Sequence, residues 1–364
     1  MKICFLAPAN NYHTRKWVRY FVSHGYDVSV LSLTEGNIDG AKVYWLNSHT
    51  RSSRASDFAK LKYLLQFYRI KQIINEIQPD IINAHYASSY GTLAALAGLK
   101  NHIVSVWGSD VYDFPRKSIF HKKILSFSLN SARCIFSTSN AMAKETRKYT
   151  NKNIYITPFG VDMDLFNPDK RNRPDYDDKF VIGTVKTLDP KYGIDFFLRA
   201  VRIVKEKRPD IPLEVRIAGN GNHELQYHQL ANELGIADIV KWLGFISQEK
   251  AAKEWANMDC GIIFSESESF GVSAVEAGAS GIPVIISDIP GLMEATSPTV
   301  SSLVVPRGNV KLLAEAIIKM YDSPEQRKMM GNAGREFEAN TYELNQCFER
   351  VEEYYREVMI SNSI

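Results

Sequence analysis

The chain has 364 residues, 45% of them hydrophobic and 23% charged, which suits two ordinary cores better than one. Its four cysteines, Cys4, Cys134, Cys260 and Cys347, form no C-x-x-C pair, which argues against a disulfide framework or a cysteine-built zinc site and for a reducing cytoplasm. The net charge of +3 divides unevenly, +10 over Met1–Lys170 and −7 over Arg171–Ile364, so the first half suits a polyanionic surface unless the two halves have merely drifted apart in composition.

Lys2 to Pro8 reads as a buried strand ending in Pro-Ala-Asn-Asn turn chemistry, too short before Pro8 and Asn10 to be a signal peptide. Trp17, Val18, Phe21 and Val22 follow at helical spacing, Gly25 ends that helix, and Asp27 opens a second strand. Strand, helix, glycine, strand is the opening of a parallel α/β sheet. Further units are expected as a helix around 57–77, a strand at 80–84, a helix at 90–99, a strand at 102–107 and a helix near 118–131. Cys134 then opens a strand, followed by a short helix at 139–149. The polar run Arg171 to Lys179 reads as a domain boundary. Beyond it the alternation restarts, with strands at 180–185, 213–218, 239–242, 260–264 and 283–287. Helices lie between and after them, at 194–207, 223–234, 248–256, 271–279 and 309–321. From Tyr342 to Met359, Leu344, Phe348, Val351, Tyr355 and Val358 share one helix face. No G-x-G-x-x-G follows the first strand, and after Gly219-Asn-Gly221 the third glycine position is Glu224, which argues against a simple dinucleotide enzyme.

The stretch from Phe264 to Gly278 carries the most chemistry. A strand ends at Phe264 and a helix begins near Gly271, so the amides of Gly271, Val272 and Ser273 point out of a helix N-terminus and offer an anion site. Gly271 admits a phosphate with no Cβ in the way. Glu276, one turn on, is placed to hold a vicinal diol such as a ribose, and Glu268 in the loop is free to reach a sugar hydroxyl. On spacing alone both glutamates remain equally compatible with ordinary cap and surface roles.

The string Glu268-Ser-Phe270-Gly-Val272-Ser-Ala-Val-Glu276 resembles the E-x7-E motif of the retaining family 4 glycosyltransferases with the GT-B fold (glycosyl transferases group 1). Pro158 to Pro168 is similar to that family's P-x-G-V-D interdomain segment. Gly183 to Gly193 resembles its phosphate loop, and Arg216 to Gly221 with Val240 to Ile246 resemble its nucleoside-binding strands. The resemblance implies two Rossmann-like doubly wound α/β domains facing a central cleft. Residues 1–170 would bind the acceptor and 171–340 the nucleotide-sugar donor, with a C-terminal helix in 341–364 crossing back to the first. It implies donor contacts at Gly219, Ile246, Phe270, Gly271, Val272 and Glu276, and catalytic roles for Lys186, Lys191 and Glu268.

Cations aimed at a leaving diphosphate lower the barrier to its departure, which gives Lys186 and Lys191 their sense and removes the need for a metal or other cofactor. The family usually carries Arg where this chain has Lys186, so the charge is kept and the bidentate fork is lost. Asp162-Met-Asp164 has the D-x-D form of a metal site elsewhere, but it lies inside the interdomain segment without a His or third carboxylate beside it. On the acceptor side the candidates are His13, Arg15, His85 and Asp110, all near the carboxyl ends of strands, where open α/β sheets bind ligands. Trp107, standing where the family often has a histidine, is a further acceptor-side candidate.

These features lead to the expectation of a retaining hexosyltransferase that uses a nucleoside-diphosphate sugar, a UDP-sugar by preference, and a glycan or lipid-linked sugar acceptor in cell-surface polysaccharide or glycoconjugate synthesis. The alternatives are a GT-B sugar-nucleotide epimerase and a catalytically inactive sugar-nucleotide-binding subunit. No nucleic-acid partner is expected. A cytoplasmic location with peripheral attachment to an anionic membrane is, on two basic clusters: Arg51, Arg54, Lys60, Lys62, Arg69 and Lys71, then Arg116, Lys117, Lys122 and Lys123. Solvated helix faces would explain the same charges.

Overall fold

The computed structural model describes residues 1–46, 65–174 and 178–360. The chain divides into two compact units, Met1–Phe159 with Cys347–Ile364, and Gly160–Gln346.

The first unit is built on β1 (Lys2–Leu6), β2 (Asp27–Ser32), β3 (Lys42–Trp45), β4 (Ile81–His85), β5 (Ile103–Val106), β6 (Cys134–Ser137) and β7 (Ile154–Ile156). They pair in the order β3-β2-β1-β4-β5-β6-β7, every pair parallel. Helices on both faces explain why the central strands read as near-continuous apolar runs rather than alternating ones. The helix Tyr12–Ser23 starts where the Asn11 side chain accepts the amides of His13 and Thr14 at 2.8 and 3.2 Å. It buries Trp17, Val18 and Phe21. Across the sequence, the helix Leu344–Ile360 buries Phe348, Val351, Tyr355 and Val358 of the face its periodicity predicts, and from Cys347 on it belongs to this unit. Phe348 stacks on Tyr20 at 4.7 Å, and the buried Asn83 of β4 donates to the Tyr355 hydroxyl at 2.7 Å.

The second unit contains β8 (Phe180–Val185), β9 (Leu213–Ala218), β10 (Val240–Gly244), β11 (Cys260–Ile263), β12 (Val284–Ser287) and β13 (Ser302–Val305). Their order is β10-β9-β8-β11-β12-β13, again wholly parallel. Ile182, Val215, Ile262 and Ile285 of the sheet pack with Phe197, Val201, Leu313 and Ile317 from its helices. Two doubly wound α/β sheets are the architecture of the GT-B fold. No helix among the described residues is long and apolar enough to cross a membrane.

The division falls between Phe159 and Gly160, before the expected boundary after Lys170. The intervening segment is tied into the second unit: the Val161 amide donates to Tyr342 at 2.8 Å, and Arg335 donates to the Phe166 carbonyl at 3.0 Å. The described part of the polar run after Lys170 is likewise anchored rather than free. Arg173 makes a bidentate pair with Asp259 at 2.9 and 2.8 Å, and the Asn257 side chain accepts the Asn172 and Arg173 amides. The short strands β3, β7 and β13 are additions to the elements expected from the sequence, and the helix expected at 57–77 is described only as Phe67–Ile77.

Candidate functional site

In the second unit the strand order reverses between β8 and β11, and the loops leaving their carboxyl ends carry most of the residues expected on the donor side. Ligands of open α/β sheets bind at such a reversal because the two loops part there. The loop after β8 rides on the loop after β9: the Lys186 amide donates to Ala218 at 2.8 Å and the Leu188 amide to Asn220 at 2.9 Å. This approach requires Gly219, whose φ is +138° and at which a Cβ would lie 1.9 Å from the Lys186 carbonyl oxygen. Gly219 therefore supports the lysine loop from beneath.

The loop then makes a short 3-10 turn, Pro190–Tyr192, started by the Asp189 side chain accepting the Lys191 amide at 3.1 Å. The Glu266 amide donates to the Lys191 carbonyl at 2.7 Å, which joins the two loops across the reversal. On this frame Lys186 forms an ion pair with Glu268, both side chains being about nine-tenths buried at 11% and 9% exposure. Glu268 also accepts from Ser265 Oγ at 3.2 Å. The ammonium groups of Lys186 and Lys191 lie 4.6 and 5.1 Å from the ring centroid of Tyr192. Two cations thus share one aromatic ring, and one of them is paired with the glutamate. The sequence divides Lys186 and Glu268 between phosphate and sugar; the structure joins them in one contact. Tyr192, between Lys191 and Gly193, joins the candidate site although no motif singles it out.

The helix Val272–Ala279 begins at Gly271, whose φ is +91°, and Ser273 Oγ ties it to the last residue of β8 by donating to the Val185 carbonyl at 2.7 Å. Its first amides, at Val272 and Ser273, have no acceptor within the helix and lie at the positive end of its dipole. Glu276 lies one turn deeper and is buried. Phe270 differs from expectation: its ring is buried edge-on to Tyr342 at 5.0 Å, so this side chain belongs to the interior. Ile246 is half-buried two residues past β10, whose terminal Gly244 carbonyl accepts the Gly219 amide at 2.7 Å. Arg307, also outside the motifs, donates to the Glu266 carbonyl at 3.1 Å. Asp162 accepts the amides of Asp164 and Leu165 at 3.0 and 2.9 Å, so its D-x-D is local turn chemistry.

In the first unit the reversal lies between β1 and β4, and an aromatic cluster occupies their carboxyl ends. The His13 ring stacks on Phe159 at 4.0 Å, and Trp107 lies 4.3 Å from His85, 5.0 Å from Tyr86 and 5.2 Å from Phe159. His85 is the last residue of β4 rather than a loop residue. It is fully buried against Phe5, Trp17 and Trp107, and neither ring nitrogen has a hydrogen-bond partner among the described residues. Asp110 is also interior. Its carboxylate accepts the amides of Ala87, Gly108 and Trp107 at 2.9, 2.9 and 3.2 Å and so pins the loop after β5 to the turn after β4. Burial raises its pKa against those three amides. Arg15 donates through Nε to the Ala9 carbonyl at 3.0 Å and braces the loop after β1. Of the acceptor-side candidates, His13, His85 and Trp107 are thus gathered, whereas Asp110 and Arg15 act through backbone. Tyr86 joins them unforeseen, held at φ +65° at the start of a π-turn directly after β4. Backbone strain in a bulky residue at a sheet's carboxyl edge is a feature that no sequence motif announces.

Burial pushes the pKa of His85 down to about 3, with the nearby His13 adding to the effect, and burial likewise lowers His13 to about 3. The native rings stay neutral while the unfolded ones take protons near pH 6.5, so stability is full above that pH and falls as pH drops toward 3. His85→Phe, which keeps an aromatic ring in the cluster, is expected to remove one such proton. Thermal unfolding at pH 7 and pH 5 should show the wild type losing about 2 kcal/mol more than the variant. Equal losses would remove His85 as a source of acid sensitivity.

Two family models match the chain in succession, "Glycosyl transferase 4-like" over residues 2–139 and "Glycosyl transferases group 1" over residues 166–337. An uncharacterised glycosyltransferase of Methanocaldococcus jannaschii is 26% identical over 83% of this chain and 82% of that one. A D-inositol 3-phosphate glycosyltransferase of Pseudarthrobacter chlorophenolicus is 31% identical over 70% of this chain, which spans 65% of that enzyme's length. The Anabaena protein HepE, solved in complex with UDP-glucose, superposes with a TM-score of 0.81 at 17% identity, covering 98% of this chain and 100% of that one. With its two parallel sheets, and with paired lysines and a helix N-terminus at the β8/β11 reversal, the chain belongs to the group 1 glycosyltransferases of the GT-B fold.

Proposed function

We propose that the chain transfers a sugar, with retention of configuration, from a UDP-sugar to a glycan or lipid-linked acceptor in cell-surface glycoconjugate synthesis, without a metal cofactor. The observation that carries this reading is the grouping of Lys186 and Lys191 around Tyr192, on the loop across from the helix that opens at Gly271. As the bond between the anomeric carbon and the diphosphate oxygen breaks, negative charge grows on the leaving UDP. Two ammonium groups and a helix N-terminus stabilise that charge more in the transition state than in the bound donor. The Glu268 carboxylate orients Lys186 and offsets part of its positive charge. The acceptor oxygen then bonds the same face of the anomeric carbon that the phosphate leaves, and its proton passes to a departing phosphate oxygen. The enzyme contributes position and charge rather than a nucleophile of its own.

The UDP assignment is supported by the UDP-glucose bound to the structurally similar Anabaena protein. The intact set of Lys186, Lys191, Glu268 and Glu276 weighs against an inactive binding subunit. Thermal-shift titration tests the donor: a UDP-sugar at 100 times its dissociation constant is expected to add about 2.7 kcal/mol. Stabilisation by GDP-sugars alone would overturn the UDP reading.

Glu276 holds the ribose in this reading, far from the breaking bond. Glu276→Ala is therefore expected to raise the donor KM about tenfold or more with little change in kcat. Steady-state kinetics decide this; an unchanged KM would remove the ribose assignment.

A further inference from the structure

Each sheet has a cleft at the amino ends of its strands, opposite the ends that carry the candidate sites. In the second unit that cleft is lined by Lys205, Arg208 and Lys241, and each is paired, with Asp238, Asp322 and Glu214 respectively. In the first unit a cleft of 560 Å³ lies at the amino ends of β5, β6 and β7. Arg133 and Lys152 line it together with the neutral polar residues Asn101, Ser131 and Asn153, and no Asp or Glu is among its lining residues. Both cations are half-buried, and among the described residues neither forms an ion pair.

The backbone holds this arrangement in place. Asn101 takes the left-handed conformation at φ +58°, which its short polar side chain tolerates, and turns the chain into β5. The Arg133 amide donates to the His102 carbonyl at 2.9 Å, and the Ile135 amide donates to the Asn153 carbonyl at 2.9 Å. The starts of three adjacent strands are thereby tied together. Burial pushes the Cys134 thiol up to about 12, and Arg133 and Lys152 both act against that rise. The two positive charges therefore reach the same point of the cleft wall. Glu357 is felt at Tyr155 but does not line the cleft.

Half-buried cations without a partner carry a desolvation cost that a bound anion offsets. We propose that this cleft binds a small phosphorylated polyol, with Arg133 and Lys152 meeting the phosphate and Asn101, Ser131 and Asn153 its hydroxyls. The planar fork of arginine matches two phosphate oxygens, and lysine supplies a compact charge beside it. A bare phosphate would leave the neutral polar groups unused, and the cleft has the size of a small-molecule site. Reacting ligands of doubly wound sheets bind at the carboxyl ends of the strands, so this is a second site, apart from the chemistry. Of the basic clusters read from the sequence, Arg51, Arg54, Lys60 and Lys62 lie outside the described residues, and the others are exposed.

Calorimetric titration of the chain with glucose 6-phosphate, glycerol 3-phosphate, inorganic phosphate and glucose tests the proposal. At least one of the two polyol phosphates should bind more tightly than inorganic phosphate, glucose should not bind, and affinity should fall as salt rises. R133Q/K152Q removes both charges and keeps polar side chains, and thermal unfolding verifies that it remains folded. Loss of charge-assisted contacts is expected to weaken polyol-phosphate binding at least about tenfold in this variant. Its UDP release, measured without polyol phosphate, should be unchanged. Lys191→Ala should keep the polyol-phosphate affinity, which separates this cleft from the donor side. Binding lost in Lys191→Ala and kept in R133Q/K152Q would overturn the proposal. So would binding of neither polyol phosphate, or inorganic phosphate binding as tightly as both.

Discussion

Lys191→Ala is expected to lower kcat by about 10²–10³ while changing the donor KM little, the signature of a group that acts on charge present mainly in the transition state. Lys191 is the better probe of the two lysines. Removing Lys186 would leave the Glu268 carboxylate, about nine-tenths buried, without its cation and so mix a structural loss with a chemical one. The backbone at Lys191 is held by Asp189 and Glu266 independently of its side chain, so the loop is expected to keep its place in the variant. Steady-state kinetics with a UDP-sugar measure the effect. A Lys191→Ala enzyme with wild-type kcat would mean that the diphosphate is stabilised elsewhere.

Gly193→Ala is expected to be strongly damaging to the second unit. Gly193 begins the helix Ile194–Lys207 at φ +66°, and a Cβ there would lie 2.0 Å from the Phe264 carbonyl oxygen. The strained backbone alone costs about 1–2 kcal/mol. The overlap with a backbone atom cannot be relieved by a side-chain rotation, so the loops after β8 and β11 must separate. A total near 3 kcal/mol corresponds to a fall in Tm of about 6–12 °C for a unit of this size. Because the same movement pulls Lys191 away from the loop bearing Glu268, activity should fall even at temperatures where the variant is folded. Calorimetry together with kinetics at 20 °C below the transition separates the two effects. A variant with native Tm and native kcat would show that the close approach of the two loops is dispensable.

The alternation of the second unit is legible in the sequence because its strands are buried on both faces and its helices are bounded by glycine, proline or polar breaks. Phe180–Val185, Leu213–Ala218 and Gln248–Ala256 lie where their patterns place them. The strands β3, β7 and β13 have three or four residues each, too short for a period to stand out from a loop. The boundary was harder to read for a different reason. Arg171 to Pro174 looks like a linker by composition, yet Asp259 and Asn257, more than eighty residues away, supply the partners that hold it. On the donor side, the family resemblance singles out Lys186, Lys191 and Glu268, but not that two of them pair or that Tyr192 lies under both cations. Those contacts depend on the fold of two loops from separate strands. The acceptor side is legible least: His85 and Asp110 fall near the correct strand ends, while strand register and backbone hydrogen bonding turn both inward.

The claim most exposed to test is that the chain's own cations, with no metal, drive departure of UDP. Release of UDP from UDP-glucose by the purified chain, followed with and without excess EDTA, addresses it directly. Release at the same rate in both conditions is the predicted result. Release that EDTA abolishes and added divalent metal restores would contradict it.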